Sequence, residues 1–411
     1  MARRREKWNQ PAPVVRELSN GAKAGIAAAI IFAVLCVLAV VAVILGWLPW
    51  PLFGEADPTA TEPVVQESED TVIHFVAGGD VNVTDKVVQS GAVGAGYDYG
   101  SVFLDVMPLL SGADLTVLNL EGNLYGNSYG SETSCAPQEL AQALRNAGVD
   151  IVQTANSKAI ANGTLGLAAT LDGIRQAGMQ PVGTYASEEE FQRYQGFLIR
   201  EVGGIRIAIT AFTKGMDGKG MPSGCYINLL YEDFNSAYQK VDEKGIRSVL
   251  KDIAAQKPDI TIALLHWGSE FNDQISKTQK KICTIMAEEG VDAIVGTHPH
   301  YVQSIGFDPE TGMFIAYSLG DLFGDGEKKD TNYSIILDLE ITKDGKTGKV
   351  SISDYSYTPI YRYVDEEGDV RLLRIKEALA AYENLCIDAV SQEVYESMKT
   401  ALARIEARVE K

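Results

Sequence analysis

An α/β fold is predicted by three features of the sequence. Short apolar, β-type runs recur at 72–77, 114–118, 149–153, 205–212, 259–265, 291–295 and 313–319. Between several of them, residues 137–147, 165–177, 246–255 and 276–289 place apolar side chains three and four apart, the spacing of amphipathic helices. Strands separated by helices imply an α/β core. Third, 332–363 carries period-2 runs such as Tyr333-Ser334-Ile335-Ile336-Leu337, which read as antiparallel strands joined by the turn Lys343-Asp344-Gly345. With 411 residues, 46% hydrophobic, 22% charged and 39 glycines, the chain is long and apolar enough to bury a large core, which excludes a disordered or fibrous protein.

Residues 1–23 hold Arg3, Arg4, Arg5, Lys7, Arg16 and Lys23, and no charged residue follows until Glu55. The apolar stretch 24–50 matches the roughly 20 residues that a membrane-crossing helix needs. It ends in Gly46-Trp47-Leu48-Pro49-Trp50-Pro51, an interfacial aromatic pattern unlike a cleavage site, so an uncleaved signal anchor is expected. The upstream basic residues orient it with the N-terminus cytoplasmic and the main domain outside, giving a single-pass protein of the cell membrane. Residues 51–70, rich in Pro, Thr, Glu and Asp, form an extended linker. The folded domain is expected over 71–363, and a helical segment is expected after Arg371, within a C-terminal extension at 364–411.

The whole chain carries −19, and because its first residues are basic the rest is more acidic still. Such a surface repels polyanions over about 10 Å of screening length, so no nucleic-acid partner is expected. Of five cysteines, Cys36 lies in the apolar stretch, and no CxxC pair points to a structural zinc site. An oxidising exterior would permit a disulfide, for which Cys135 and Cys225, both in loop-like stretches, are the candidates.

The chemistry lies where the apolar runs end. Successive runs lead to Asp80, Glu121, Asn156, His266, the pair His298 and His300, and Asp321. In open α/β sheets the crevice outside the carboxyl ends of the strands binds ligands, so these distant residues can converge. Carboxylates, an amide and imidazoles together suit one or two divalent ions of manganese, iron or zinc better than magnesium or calcium. An ion held there lowers the pKa of a bound water and polarises a phosphoryl or carbonyl oxygen. Only four histidines occur in the chain. His74 falls within a strand pattern and reads as an ordinary strand side chain. His298 and His300 flank Pro299 in a loop, where a purely structural pair is unusual.

The segments GGDVNV (78–83), NLEGNL (119–124), TANSKAIANG (154–163), HWGSEF (266–271), GTHPHYVQ (296–303) and YSLGDL (317–322) resemble, in order and spacing, the CapA or poly-γ-glutamate capsule synthesis family. The domain of that family is similar to calcineurin-like metallophosphoesterases. The resemblance implies a four-layer αββα sandwich with the site at one edge of the sheets. It also implies a bacterial envelope protein acting in synthesis, export or release of an anionic polymer such as poly-γ-glutamate. Expected partners are that polymer or its precursor and other membrane subunits of a synthesis and export complex. By analogy, Glu121 bridges two ions, Asp80 and His300 hold one, and His266 and His298 the other.

The departures from the family pattern are concentrated in one motif. Asn156-Ser157-Lys158 stands where the family commonly has Asn-Asn-His, so Ser157 removes a ligand and Lys158 an imidazole acid, leaving an incomplete site. Lys158, charged near neutrality, can attract a substrate anion but cannot shuttle protons. Asp321 stands where asparagine is usual, Asp85 lies near a common arginine position, and Asn82 is spaced from Asp80 as the second member of an Asp-x-His pair would be. Two functions follow: a metal-dependent hydrolase of the envelope, or a non-catalytic assembly or ligand-binding factor with a degenerate site.

Overall fold

The structure is a computed structural model and describes Val34, Val37, residues 69–386 and residues 390–410. The basic segment 1–23, nearly all of 24–50 and the linker up to residue 68 lie outside the described residues. Among the described residues no helix is long and apolar enough to cross a membrane. This finding corrects the expected transmembrane helix and single-pass membrane location. Apolar length is a necessary condition for a span, and composition alone was its basis.

Two mixed sheets organise Glu67–Lys411, which clusters as one unit. The first has eight strands. Its strands β1 (Thr71–Asn82), β2 (Leu115–Glu121), β3 (Ile151–Gln153) and β4 (Gln180–Val182), the last at one edge, run parallel. The second sheet is formed by β5 (Phe197–Val202), β6 (Ile205–Thr213), β7 (Ile260–His266), β8 (Ala293–Thr297), β9 (Ile305–Phe307) and β10 (Phe314–Ala316). There β6, β7, β8 and β10 are parallel, while β5 and β9 add antiparallel edges. The chain then returns to the first sheet. Strand β11 (Asp321–Phe323) lies parallel beside β1, and β12 (Tyr333–Lys343), β13 (Val350–Val364) and β14 (Val370–Arg374) extend it as an antiparallel meander.

Strand alternation decides what each face buries. Ile73, Phe75 and Ala77 of β1 meet Ile207, Ile209 and Ala211 of β6 and Ile262 and Leu264 of β7 in one cluster between the sheets. The intervening Val76, and Val81 beyond a register shift between Ala77 and Asp80, join Leu118 and Leu120 under helix α1 (Gln138–Asn146) in a second cluster. Helix α2 (Gly163–Gln176) touches both clusters. On the second sheet, Ala208, Phe212, Ala263 and Leu265 pack in a third cluster against α3 (Glu243–Ala255) and α4 (Lys277–Glu288). Helix α4 starts at a capping box in which Ser276 and Gln279 each satisfy the other's backbone N–H. Two further helices, α5 (Ile375–Glu383) and α6 (Gln392–Val409), follow β14, and Met398, Ala401 and Ile405 of α6 enter the inter-sheet cluster.

The expected strands are present with shifted ends. Strands β1, β2, β7 and β8 continue past their apolar runs to carry Asp80, Glu121, His266 and Thr297, because the parallel ladder goes on pairing there: Asp80 opposite Asn119, His266 opposite Thr297. The run 313–319 shortens to Phe314–Ala316, because Leu319 N donates to Gly296 O (3.2 Å) and turns the chain across the strand ends. The helix expected after Arg371 begins at Ile375, since 370–374 pairs with β13 as β14. Cys135 and Cys225 are free, buried thiols, which corrects the proposed disulfide. Asn162 Nδ2 donates to Cys135 Sγ (3.1 Å), and Cys225 Sγ lies 3.6 Å from Thr164 Oγ1.

Candidate metal centre

Two glycines allow the polar strand ends to come together. A Cβ on Gly79 would lie 1.8 Å from Gly320 O, and one on Gly296 would lie 2.0 Å from Tyr317 O. Without side chains there, the segment 317–320 passes directly over β1 and β8, and Asp80 N donates to Gly320 O (3.1 Å). Asp80 and Asp321 therefore sit opposite each other in register, although 241 positions separate them in sequence.

Asp80 is fully buried. Its Oδ1 accepts from Asn119 Nδ2 (2.5 Å) and its Oδ2 from His298 N (2.9 Å), while His266 Nδ1 lies 3.7 Å and His300 Nδ1 4.0 Å away. His266 Nε2 points to Ser157 Oγ (2.8 Å) and to Glu121 Oε1 (3.5 Å), and its Nδ1 meets Thr297 Oγ1 at 3.1 Å. Ser157 Oγ donates to Glu121 Oε1 (2.7 Å). On the far side His300 Nδ1 meets Asp321 Oδ1 at 2.7 Å. Ligand-type atoms of Glu121, His298 and His300 lie within 4.8 Å of one another, as do those of Asp80, Glu121 and His266, and those of Asp80, His300 and Asp321. Adjacent ions could share Asp80, Glu121 or His300.

Burial and mutual charge set the protonation of these groups. Burial raises the Asp80 carboxyl, helped by the neighbouring Glu121 charge. For Glu121 burial also acts upward, but the His266 imidazole, by charge and hydrogen bonding, outweighs it and holds the carboxyl well below the usual range. Burial lifts Asp321 to about 6 against the opposing pull of His300. Burial works against a charge on His300, yet Asp321, Glu121 and Asp80 together raise it well above normal. Burial, His266 and Lys214 push His298 well down, leaving the neutral imidazole that a metal ligand must be.

Two buried atoms decide whether such a set fits a cation. Among the described residues Glu121 Oε2 and His298 Nδ1 have no hydrogen-bond partner. Buried polar atoms are nearly always paired, and an unpaired carboxylate oxygen is costly. A carboxylate oxygen and an imidazole nitrogen without partners, ringed by two more carboxylates and two more imidazoles, match the donor set of a divalent metal ion.

Of the residues singled out from the sequence, Asp80, Glu121, His266, His298, His300 and Asp321 are brought together, with Ser157 in hydrogen-bond contact. Asn82 is half-buried, in register with Glu121, and shares a strand face with Asp80. Asn156 is committed to other partners: its Nδ2 donates to the side-chain Asn119 Oδ1 (3.0 Å) and to Leu120 O (2.7 Å), and its Oδ1 accepts from Lys158 N (3.0 Å). Lys158 Nζ donates to Asp217 Oδ2 (2.5 Å); burial works against its charge, but Asp217 raises it above the ordinary lysine value. His74 is exposed and pairs with Asp338.

Sequence reading missed Asn119, Thr297 and Lys214, and the brace behind the histidine loop. Asn119 lies two residues before Glu121 on one strand face, and Lys214 follows the end of a strand run, so the rule that found the others reaches both. Nothing local marks the brace. Phe271 stacks on His300 (5.2 Å between ring centroids) and meets Tyr301 edge-on (6.2 Å). Arg408 of α6 lies over Tyr301 (4.8 Å) and donates to Tyr333 Oη (2.9 Å) and Asp330 Oδ2 (2.9 Å). Arg404 also binds Asp330.

The chain is 26% identical over 323 residues to the capsule biosynthesis protein CapA of Bacillus anthracis, covering 75% of this chain and 72% of that one. It is 24% identical over 299 residues to the PGA biosynthesis protein CapA of Bacillus subtilis, covering 72% and 74%. Among solved structures it is similar to the calcineurin-like phosphoesterase YfkN of Bacillus subtilis, with TM-score 0.44, 15% identity and coverage of 80% and 99%. It is also similar to a phosphatase of Mycoplasma pneumoniae, with TM-score 0.42, 17% identity and coverage of 71% and 94%. The profile of the bacterial capsule synthesis protein PGA_cap matches residues 74–325, more than half of the sequence. The chain belongs to that capsule synthesis protein family.

Proposed function

We propose that the protein acts as a metal-dependent hydrolase on an anionic polymer of the bacterial envelope, poly-γ-glutamate-like, or on its precursor, during synthesis, export or release. The fold is read as a four-layer αββα sandwich, with the three hydrophobic clusters between its layers. The observation that carries the reading is the pair of unpartnered buried atoms, Glu121 Oε2 and His298 Nδ1, facing Asp80, His266, His300 and Asp321. These residues would hold one or two ions of manganese, iron or zinc. When bound, such ions supply Lewis acidity at a phosphoryl or carbonyl oxygen and activate water. The chain's own part is to keep the ligands in place: Asn119 and His298 N fix the Asp80 carboxylate, and Thr297 and Ser157 orient His266. Other subunits of a polymer synthesis and export assembly are proposed as partners.

A second reading, a binding or assembly factor without catalysis, has one observation in its favour. Ser157 Oγ already bridges Glu121 and His266, and Lys158 is tied to Asp217, so the segment that would carry a further ligand and an imidazole acid supplies neither. Loss of one such acid slows an enzyme by typically about 10²–10⁴-fold without abolishing metal chemistry. Metal analysis of the full-length chain, a phosphodiesterase assay and the double variant Ser157→Asn/Lys158→His separate the two readings. The expected result is bound transition metal in the native chain and faster turnover in the variant. If the native chain binds none while the variant does, the hydrolase reading fails and the binding-factor reading stands.

A further inference from the structure

We propose that the cavity between the short helix Asp85–Gln89 and the turn joining β13 to β14 binds an α-amino carboxylate, a group with an ammonium and a carboxylate on one carbon. The cavity measures about 470 Å³, and its lining includes Lys86, Gln89, Arg362, Val364, Glu367 and Asp369. That volume falls in the roughly 300–1,000 Å³ range of small-molecule sites. No residue of the metal cluster lines it, and the proposal is independent of the hydrolase reading.

Arg362 carries the argument. It lies on β13 opposite Leu372 of β14, and its backbone N–H donates to Asn332 O (2.9 Å). It shares a strand face with Ile360 of the second hydrophobic cluster, which leaves the side chain half-buried. Its Nε is buried without a partner, and among the described residues the guanidinium makes no hydrogen bond or ion pair. Burial acts to lower its pKa and Asp325, out of contact, opposes that, but an arginine stays charged throughout the physiological range. Arg371 on β14 is the opposite case, meeting Asp105 through two bonds (2.9 and 2.7 Å). A part-buried guanidinium without an acceptor is costly, and a carboxylate taken by its planar fork is the matching partner.

The opposite charge lines the same cavity. Glu367 and Asp369 are exposed, and neither carboxylate pairs with a cation among the described residues. Their turn is fixed by another side chain, since Glu367 N and Asp369 N both donate to Asp365 Oδ1 (3.1 and 2.8 Å). Lys86, the other lining cation, is already paired with Glu327 (3.1 Å). One unpaired guanidinium and two unpaired carboxylates thus border one space without reaching each other. A plain anion would meet the acidic turn and a plain cation would meet Arg362, whereas a ligand bearing both charges suits both sides. A free amino acid carries that group, and so does the amino-terminal residue of a γ-linked glutamate chain, whose link leaves the α-carbon's ammonium and carboxylate free.

The test is calorimetric titration of the full-length chain with alanine, glutamate and γ-glutamylglutamate, and with N-acetylglutamate, which lacks the ammonium. At least one of the first three should bind, and Arg362→Gln should weaken it by about tenfold or more. The double variant Glu367→Gln/Asp369→Asn, changed only at exposed positions, should weaken it by about threefold or more. N-acetylglutamate should bind less tightly than glutamate or not at all. Binding of the dipeptide alone assigns a chain end, and binding of alanine or glutamate a free amino acid. A native chain that takes up none of the first three, unchanged affinity in Arg362→Gln, or N-acetylglutamate binding as tightly as glutamate overturns the site. If Arg362→Gln loses its melting transition, the exposed double variant decides: weaker binding keeps the site and unchanged binding overturns it.

Discussion

Asp80, Glu121 and His266 close strands, whereas His298 and His300 stand in a loop with left-handed backbone, at φ +94° and +58°. The strand-borne residues are placed by the parallel ladder, which pairs Asp80 with Asn119 and His266 with Thr297, and by short polar side chains from neighbouring strands. The loop-borne pair has no ladder of its own, and strained backbone of this kind costs about 1–3 kcal/mol per residue. Its support comes from elsewhere: Asp80 accepts from His298 N, Asp321 meets His300, Phe271 stacks on His300, and Arg408 packs over Tyr301. Arg408 lies outside residues 74–325, the segment matched by the family profile, so a side chain from the C-terminal part of the chain braces a site inside the matched segment. Strand ends locate ligands by backbone geometry, and loops need side chains from distant parts of the chain to do the same.

Substitutions at four positions probe that contrast. Gly79→Ala should be the most damaging, because the new Cβ cannot avoid Gly320 O; about 3 kcal/mol or more of stability should be lost, read by urea denaturation. A variant as stable as the native chain would mean that the close approach of β1 and 317–320 is not needed. Glu121→Gln keeps the shape and removes the charge at the centre of the strand-borne half. Manganese affinity should fall by about 100-fold, and unchanged stoichiometry and affinity in metal analysis would exclude Glu121 as a ligand.

Arg408→Gln tests the brace of the loop-borne half. It should weaken manganese binding by about tenfold with a smaller effect on the melting temperature, whereas Arg408→Lys, which keeps the charge without the planar stack, should recover only part of the loss. Equal metal binding in native and Gln forms would leave Arg408 with a purely structural role. The smallest effect belongs to His74→Ala. His74 shares β1 with Asp80, but its pairing with Asp338 is half exposed, so stability should change by no more than about 0.5 kcal/mol with metal binding untouched.

Much of the strand-borne half was legible because its signal is local. An apolar run ending in a carboxylate or imidazole marks the carboxyl end of a buried strand, and that rule picked out Asp80, Glu121 and His266; it also picked out Asp321, which instead opens β11. The same rule applied to 205–212 reaches Lys214, and period-2 spacing from Glu121 reaches Asn119. Asn156 shows its limit, since the residue type suits a metal but its amide is used up on Asn119, Leu120 and Lys158. Lys158 shows another, because Asp217, which neutralises it, lies 59 positions along the chain. The brace of Phe271, Tyr301 and Arg408 gave no sign, as aromatic and arginine side chains at such separations carry no periodic pattern.

The sequence by itself determined the alternation of strands and helices, the positions where buried strands end and the chemical types found there. Those follow from side-chain periodicity and backbone preference, which act over a few residues. Tertiary structure alone decided which polar atoms face one another, which are satisfied and which stay unpartnered. It brought Ser157 to His266 across 109 positions and His298 N to Asp80 across 218. Hydrogen bonds and ion pairs act over a few ångströms, so their partners are settled only when the sheets are stacked and the loops have closed over them.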